Sequence, residues 1–232
     1  RVSCRLPLVR APFDGETLVI RVGGLVGGHS GVEIDKGRAN ADMLLGRLLK
    51  AASAAAEVRL VSAQGGSKDN AIPTAAEAVL VTANGGAVRE AVEKLAVDLK
   101  KEYRAADPGL TVAVEPGPAC WLPMDADTTE RALCLLLCLP NGIQAMSMDI
   151  PGLVQTSLNM GILACEEEQL SADFSVRSSL ASQKELVQER LRCLTEQVGG
   201  HVAIWGDYPA WEYLPESPLR NRKTEVYREQ YG

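Results

Sequence analysis

The sequence predicts an α+β fold: an antiparallel sheet with helices packed on one face, ferredoxin-like βαββαβ in its first half and followed by a related second half. Segments rich in β-branched residues alternate with segments whose apolar residues recur at helical spacing. Gly and Pro clusters separate these segments. In the first half the order is strand, helix, strand, strand, helix, strand, which is the ferredoxin-like order.

The first half contains the more regular patterns. The clearest helix is predicted by Val88, Val92, Leu95 and Leu99, which share one face while charged residues occupy the other. We expect Gly65 and Gly66 to end the strand that precedes them. The predicted elements are strands at 17–22, 58–63, 76–82 and 110–114 and helices at 38–56 and 87–103.

The second half follows a looser version of the same pattern. Its predicted elements are a helix at 128–139, a hairpin of strands at 157–165 and 170–178, a helix at 183–198 and a strand at 201–204. The triplet Glu166-Glu167-Glu168 falls between the hairpin strands, so we predict a solvated tip rather than a functional acidic cluster. Residues 1–16 are predicted to form an edge strand and a turn.

Composition limits the classes of partner. The chain has 232 residues, a formal net charge of −6 and a pI of about 5.1. Nucleic acids and anionic membranes attract basic surfaces, so neither is expected as a partner. No apolar run reaches the roughly 20 residues of a membrane span, and the charged start of the chain is unlike a secretory signal.

The six cysteines lie in mostly apolar contexts and include no CxxC pair. This usage predicts reduced, buried thiols in a cytosolic protein. Cys134 and Cys138 are one helical turn apart and therefore share a helix face. Because no His or acidic partner stands at ligand spacing, we predict that they are core residues rather than metal ligands.

A glycine-rich stretch between the first strand and the first helix carries the candidate chemistry. The segment GGLVGGHSG places His29 on a strand-to-helix loop, with Gly28 and Gly31 close by to shape it. Such a loop can bind phosphate through backbone N–H groups. The segment lacks the Lys-Ser/Thr pair of a phosphate-binding P-loop, and no downstream acidic ribose ligand can be assigned. On composition alone, a plain turn with an exposed His remains an alternative.

A series of motifs around this loop resembles one family. The motifs are GGLVGGHSGVEIDKGRANA, Asp69-Asn70-Ala71-Ile72-Pro73, Pro140-Asn141-Gly142, Thr156-Ser157-Leu158-Asn159, Val176-Arg177-Ser178-Ser179 and Tyr208-Pro209-Ala210-Trp211. In this order they resemble the lid, or dimerisation, domain of the zinc-dependent aminoacyl-histidine dipeptidases, also called Xaa-His or cytosol non-specific dipeptidases. The resemblance covers nearly the whole chain. In that family the lid is inserted into a separate metal-binding catalytic domain.

The resemblance implies roles for three residues. His29 would polarise the scissile carbonyl and stabilise the oxyanion, Asn70 would assist, and Arg177 would bind the terminal carboxylate of the peptide. An imidazole or amide N–H can donate to an oxyanion, and a guanidinium pairs with a carboxylate through two hydrogen bonds. The alternatives are a plain loop His, a turn amide and a surface Arg on a strand.

The resemblance also implies which part of the enzyme binds the metal ions. The chain has only two histidines, His29 and His201, and neither begins the His-x-Asp pair of the family's metal ligands. We therefore expect no metal bound by this segment, with two zinc ions in an absent catalytic domain. His201 is expected to have an ordinary turn or core role.

The implied organisation is a single lid domain over residues 1–232. Its first half would occupy 13–118 and its second half 119–212. Residues 213–232 would be a linker and the start of a helix returning to the catalytic domain, with both chain ends on the same side. The expected partners are a dipeptide, the catalytic domain and a second copy of the enzyme in a cytoplasmic homodimer. A stand-alone ferredoxin-like dimerisation or ligand-binding module is the alternative.

Overall fold

The computed structural model describes residues 1–232, which form one large antiparallel sheet with four helices packed on one face and a fifth, Pro218–Tyr231, that buries no residue. This confirms the predicted fold class. The helices are α1 (Ala41–Ala55), α2 (Gly85–Glu102), α3 (Ala126–Cys138), α4 (Ala181–Gln197) and α5 (Pro218–Tyr231). The strands are β1 (Val2–Pro7), β2 (Glu16–Gly23), β3 (Gly28–His29), β4 (Val58–Gly66), β5 (Ala71–Ile72), β6 (Ala76–Thr82), β7 (Thr111–Pro116), β8 (Gly142–Met146), β9 (Val154–Cys165), β10 (Gln169–Ser178) and β11 (His201–Ile204).

Two ferredoxin-like units lie side by side in the sheet. Unit A consists of β2, α1, β4, β6, α2 and β7, and unit B consists of β1, α3, β9, β10, α4 and β11. The overall strand order β11-β1-β10-β9-β4-β6-β2-β7 gives each unit the same internal order, with its first strand between its third and fourth. The predicted relation between the halves therefore appears as a repeated topology.

Unit A is inserted into unit B, between β1 and α3. The prediction of β1 as an edge strand is wrong, because β1 pairs with β10 on one side and β11 on the other. The first strand of unit B thus comes before the whole of unit A in the sequence. No local pattern in the first 16 residues indicates such a distant partner.

The units join where β4 meets β9. Only Gly65 and Gly66 of β4 pair with β9, opposite Leu163 and Ile162. These glycines were predicted to end a strand at 58–63; β4 does end at Gly66, but both glycines belong to it and pair with β9. A Cβ on Gly66 would lie 2.0 Å from the carbonyl oxygen of Gly161, and its φ is 64°. Glycine is therefore required for the two strands to approach each other.

One continuous apolar core of 38 buried residues crosses both units. In α1 the apolar residues Leu44, Leu45, Leu48 and Leu49 are all buried against the sheet and neighbouring helices. The helix begins at Ala41 because the side chain of Asn40 caps it by accepting hydrogen bonds from Asp42 N and Met43 N. None of the helices has the length and apolar composition required to cross a bilayer.

Candidate functional site

The glycine-rich loop leaves the main sheet after β2 and forms a small sheet of its own. In this two-stranded sheet, Gly28 of β3 lies opposite Ile72 of β5 and His29 lies opposite Ala71. Gly28 has a φ of 141°, and a Cβ there would lie 2.4 Å from the Arg38 guanidinium. A larger residue would therefore be strained and would collide with its neighbour. The loop consequently presents His29 outside the main sheet.

The imidazole of His29 is exposed and has a defined orientation. Its Nδ1 accepts hydrogen bonds from the backbone N–H groups of Gly31 (3.1 Å) and Val32 (3.2 Å). Because Nδ1 is an acceptor, the proton of the neutral ring resides on Nε2. The ring therefore offers an N–H donor on the side that faces away from its own loop.

Glu33 and Arg38 form hydrogen bonds with the backbone of the loop. The Glu33 carboxylate accepts a hydrogen bond from the backbone N–H of His29 (2.9 Å) and pairs with Arg38 (2.9 Å). Arg38 also donates to the carbonyl oxygen of Gly27. The hydrogen bond from His29 N, followed by the one from Arg38, lowers the pKa of Glu33. This carboxylate is therefore ionised at neutral pH and fixes the backbone of the His29 segment.

Asp107 holds the two ends of the same loop together. One carboxylate oxygen accepts from Val26 N and the other from Ala39 N, both at 2.7 Å, and the side chain is buried. Hydrogen bonds to a buried carboxylate are among the stronger ones in proteins. Asp107 lies just after α2, so a distant part of unit A sets the shape of the loop.

Arg177 approaches His29 from unit B. It lies on β10, opposite Ser157 of β9. A Cβ built on Gly31 would lie 2.9 Å from His29 Cε1 and 3.0 Å from Arg177 Cζ, so both side chains converge on one point. The structure therefore brings together two of the residues singled out from the sequence, with Gly31 between them.

The guanidinium of Arg177 has no anionic partner in the chain. It forms no ion pair with a carboxylate, and its Nε is buried without a hydrogen-bond partner. A partly buried cation without a partner is costly in free energy. An external carboxylate would supply the missing partner.

Arg177 and Gly31 line a groove of about 430 Å³. Its walls also contain the polar side chains of Ser157 and Lys184 and the exposed indole of Trp211. This volume lies within the usual range for small-molecule sites, about 300–1,000 Å³. The groove can accept a short, anionic, partly apolar molecule.

Asn70 lies beside the loop but contacts it through its backbone. Its carbonyl oxygen accepts a hydrogen bond from Ser30 N at 2.9 Å, and the residue is exposed. The preceding Asp69 pairs with Arg1, which also lines the groove. Asn70 is therefore next to the His29 segment, with its side chain open to solvent.

Glu33, Asp107, Asn40 and Asn159 support the site, and no role was predicted for any of them from the sequence. Asn40 and Asn159 are buried amides that join the two units. Asn159 is a buried amide in the otherwise apolar stretch Leu158–Leu163, a pattern that could have indicated a specific partner. The role of Asp107 depends on a sequence separation of 68 to 81 residues and has no local signal.

The other residues considered from the sequence lie elsewhere. Glu166-Glu167-Glu168 forms the exposed turn between β9 and β10, as predicted. His201 is exposed at the start of β11, opposite Arg5. The prediction that Cys134 and Cys138 are core residues is wrong, because both are exposed and α3 buries a different stripe that includes Leu135 and Leu136.

The residues of this chain do not fit a dinuclear zinc site. Such a site requires several His, Asp and Glu side chains around the cations. No group of three or more His, Cys, Asp or Glu side chains is arranged to hold a metal ion. The chemistry offered by the site is hydrogen-bond donation from His29 and cationic binding by Arg177.

Comparisons with known proteins find one peptidase domain family and two dipeptidases. Residues 20–107 match the family described as the peptidase dimerisation domain. The chain is 29% identical over 219 residues to the cytosol non-specific dipeptidase of Escherichia coli (strain K12), an alignment that covers 94% of this chain and 45% of that protein. The crystal structure of aminoacylhistidine dipeptidase from Vibrio alginolyticus superposes with a TM-score of 0.93 and 28% identity, over 100% of this chain and 48% of that one. The chain thus spans about half the length of the relatives that it matches.

Proposed function

We propose that this chain, which contains a peptidase dimerisation domain at residues 20–107, is the lid of a dipeptidase and binds the substrate at the His29–Arg177 site. The observation that carries the proposal is the convergence of a directed imidazole donor and an unpaired guanidinium beside Gly31. The named relatives are dipeptidases, and a dipeptide carries both the carbonyl and the carboxylate that these groups would bind.

His29 would act on the scissile carbonyl. Its Nδ1 is occupied by two backbone N–H groups, so Nε2–H is the free donor. When the carbonyl becomes tetrahedral, negative charge develops on its oxygen, and a donor already oriented towards it stabilises that charge without rearranging. The Glu33 hydrogen bond to His29 N keeps this donor in place.

Arg177 would bind the carboxyl terminus of the dipeptide. Its guanidinium presents parallel N–H groups that match the two oxygens of a carboxylate. It lies in the groove wall, has no carboxylate partner in the chain and is close to His29. A carboxylate held there would set the distance of the scissile bond from His29, which favours short peptides. Asn70, exposed beside Ser30, would add a side-chain amide at the rim.

The remaining parts of the reaction belong outside this chain. No group of three or more His, Cys, Asp or Glu side chains in this chain could hold a metal ion, and the family's zinc site, expected to hold two zinc ions, would lie in a catalytic domain. We propose that the lid also contributes to a homodimer and that the parent enzyme is cytoplasmic, as the names of the matching domain and the Escherichia coli relative suggest. The isolated chain is expected to have no dipeptidase activity.

Steady-state kinetics of the full-length parent protein with an aminoacyl-histidine dipeptide would test the proposal. His29→Ala should lower kcat about a hundredfold, the usual loss for one oxyanion donor. Arg177→Ala should mainly raise KM, by roughly tenfold to a hundredfold, because it removes a charged hydrogen-bonded pair.

The chain offers matched controls for both substitutions. His201→Ala removes the other histidine, and Arg104→Ala removes an exposed arginine outside the groove. Both controls should retain wild-type kinetics. Wild-type kcat in His29→Ala together with wild-type KM in Arg177→Ala would contradict the proposal.

A further inference from the structure

A buried amide connects the two halves of the site. Asn159 on β9 is 1% exposed and is surrounded in sequence by apolar residues. Its Nδ2 donates to the carbonyl oxygen of Ala71 at 2.8 Å, and its Oδ1 accepts from Asn40 Nδ2 at 3.2 Å. Donor and acceptor are both used, so the orientation of the amide is fixed.

The first of these bonds leads directly to His29. Ala71 belongs to β5, and its partner in the two-stranded sheet is His29 itself. The side chain of Asn159, from unit B, therefore holds the small strand on which the His29 segment of unit A rests. This sheet pairs only two residues on each strand, so bonds from its surroundings, including the one from Asn159, add to its stability.

The second bond leads to the first helix of unit A. Asn40 Nδ2 also donates to Met160 O at 2.8 Å, while its Oδ1 caps α1. One buried pair of amides thus fixes both the start of α1 and the position of β5 relative to β9. Buried networks in which every group is bonded specify one arrangement of the parts that they join.

Arg177 belongs to unit B, on the opposite side of the junction between β4 and β9. It lies on β10, which pairs with β9 along most of its length. His29 and Arg177 therefore belong to different units, and the main-chain pairing between those units is confined to Gly65 and Gly66. The spacing between the two groups depends on side chains that cross the junction.

We infer that Asn159 is a positioning residue that sets the separation of His29 and Arg177 by fixing β5 against unit B. The inference rests on the proposed lid function for its catalytic consequence, but its structural part can be measured independently. Asn141 provides the matched control: its Oδ1 accepts from Met160 N at 2.8 Å, so its side chain bonds the same strand and forms no hydrogen bond with β5.

Hydrogen exchange of the 232-residue chain, followed by mass spectrometry, tests the structural part. Asn159→Ala should speed exchange of the peptide covering residues 26–34 about tenfold, since one buried hydrogen bond is worth about that factor in local opening. Asn159→Asp keeps an acceptor oxygen for Asn40 but places a carboxylate oxygen against the carbonyl oxygen of Ala71, so it should act on the same peptide. Asn141→Ala should leave that peptide at the wild-type rate. Wild-type exchange at 26–34 in both Asn159 variants would overturn the inference.

Kinetics of the parent protein test the catalytic part. Asn159→Ala should lower kcat/KM about tenfold in the wild-type background and have no further effect once His29 is replaced by Ala, because the residue acts through His29. Independent, multiplicative losses would indicate a general structural role and overturn the inference. The effect of His29→Ala alone tests the lid function separately, so failure of one proposal is distinguishable from failure of the other.

Discussion

The carboxylate of Asp42 occupies the space that a side chain on Gly65 would need. A Cβ on Gly65 would lie within bonding distance of Asp42 Oδ1, so only glycine fits there. Asp42 is fully buried, and neither carboxylate oxygen has a hydrogen-bond partner. Burial raises its pKa from the ordinary value of 3.8 to about 8. At the junction of the two units, therefore, the chain carries a carboxylic acid that is mainly protonated at neutral pH.

This buried acid makes stability depend on pH. The unfolded chain releases the Asp42 proton near pH 3.8, whereas the folded chain holds it until about pH 8. Between these values the folded state binds one more proton, so stability falls as pH rises, by at most about 1.4 kcal/mol per pH unit. The stabilising contribution is complete below pH 3.8 and is lost as pH rises through about 8.

Asp42→Asn should remove this dependence. Urea unfolding of the chain at about pH 5 and about pH 8 should show that the wild type loses up to about 4 kcal/mol more than the variant over that interval. Asp14→Asn, in an exposed turn, should keep the wild-type dependence. Equal dependence in wild type and Asp42→Asn would show that Asp42 is ionised in the folded state.

Local sequence patterns predicted most elements because those elements are determined locally. The boundaries of β6 and β11 agree with prediction, and α2 follows its apolar stripe. The place of β1 and the continuation of β4 through Gly65-Gly66 depend on partners far away in the chain. Glycine usually weakens a strand, and here the Asp42 carboxylate requires it at Gly65 and the close approach of β9 requires it at Gly66.

The site was predictable only in part for the same reason. The motifs identified His29 and Arg177, and the structure places them beside one point. The supporting residues Asp107 and Asn159 act over separations of 68 to 119 residues. Cys134 and Cys138 were assigned to the core from their apolar context and the lack of ligand partners, whereas only one stripe of α3 faces the core and it excludes them.

Gly31→Ala should disturb the site without unfolding the chain. The new Cβ would press on His29 Cε1 and Arg177 Cζ, both near the ends of flexible side chains, so these groups should move apart while the backbone stays in place. We expect kcat/KM of the parent enzyme to fall about tenfold or more, since small displacements of oriented groups are costly. Gly86→Ala, whose Cβ would meet nothing closer than 3.6 Å, is the control and should leave kinetics unchanged. A loss of folding stability that matches the loss of rate would contradict the local explanation.

The thiols should react in the order of their exposure. Cys134, Cys138 and Cys193 are exposed, whereas Cys4 is buried and its burial raises its pKa to about 11. The thiolate is the reactive form of cysteine. An aromatic disulfide reagent at about pH 8 should therefore modify the three exposed cysteines first and Cys4 only on unfolding. Cys134→Ser should lower the number of rapidly reacting thiols by one. Reaction of Cys4 in the folded chain at the rate of the exposed thiols would contradict the described packing.

Asp107→Ala should release both ends of the His29 loop. Two backbone N–H groups, those of Val26 and Ala39, would lose a carboxylate acceptor at 2.7 Å. We expect a loss of about 3 kcal/mol in the free energy of unfolding, because buried donors would be left without partners. Asp107→Asn keeps one acceptor oxygen and should cost roughly half as much. Denaturant unfolding measures both losses, and exchange of the peptide covering residues 26–34 should increase in the same order. If Asp107→Ala destabilises the chain while exchange at 26–34 stays at the wild-type rate, then Asp107 stabilises α2 rather than the loop that presents His29.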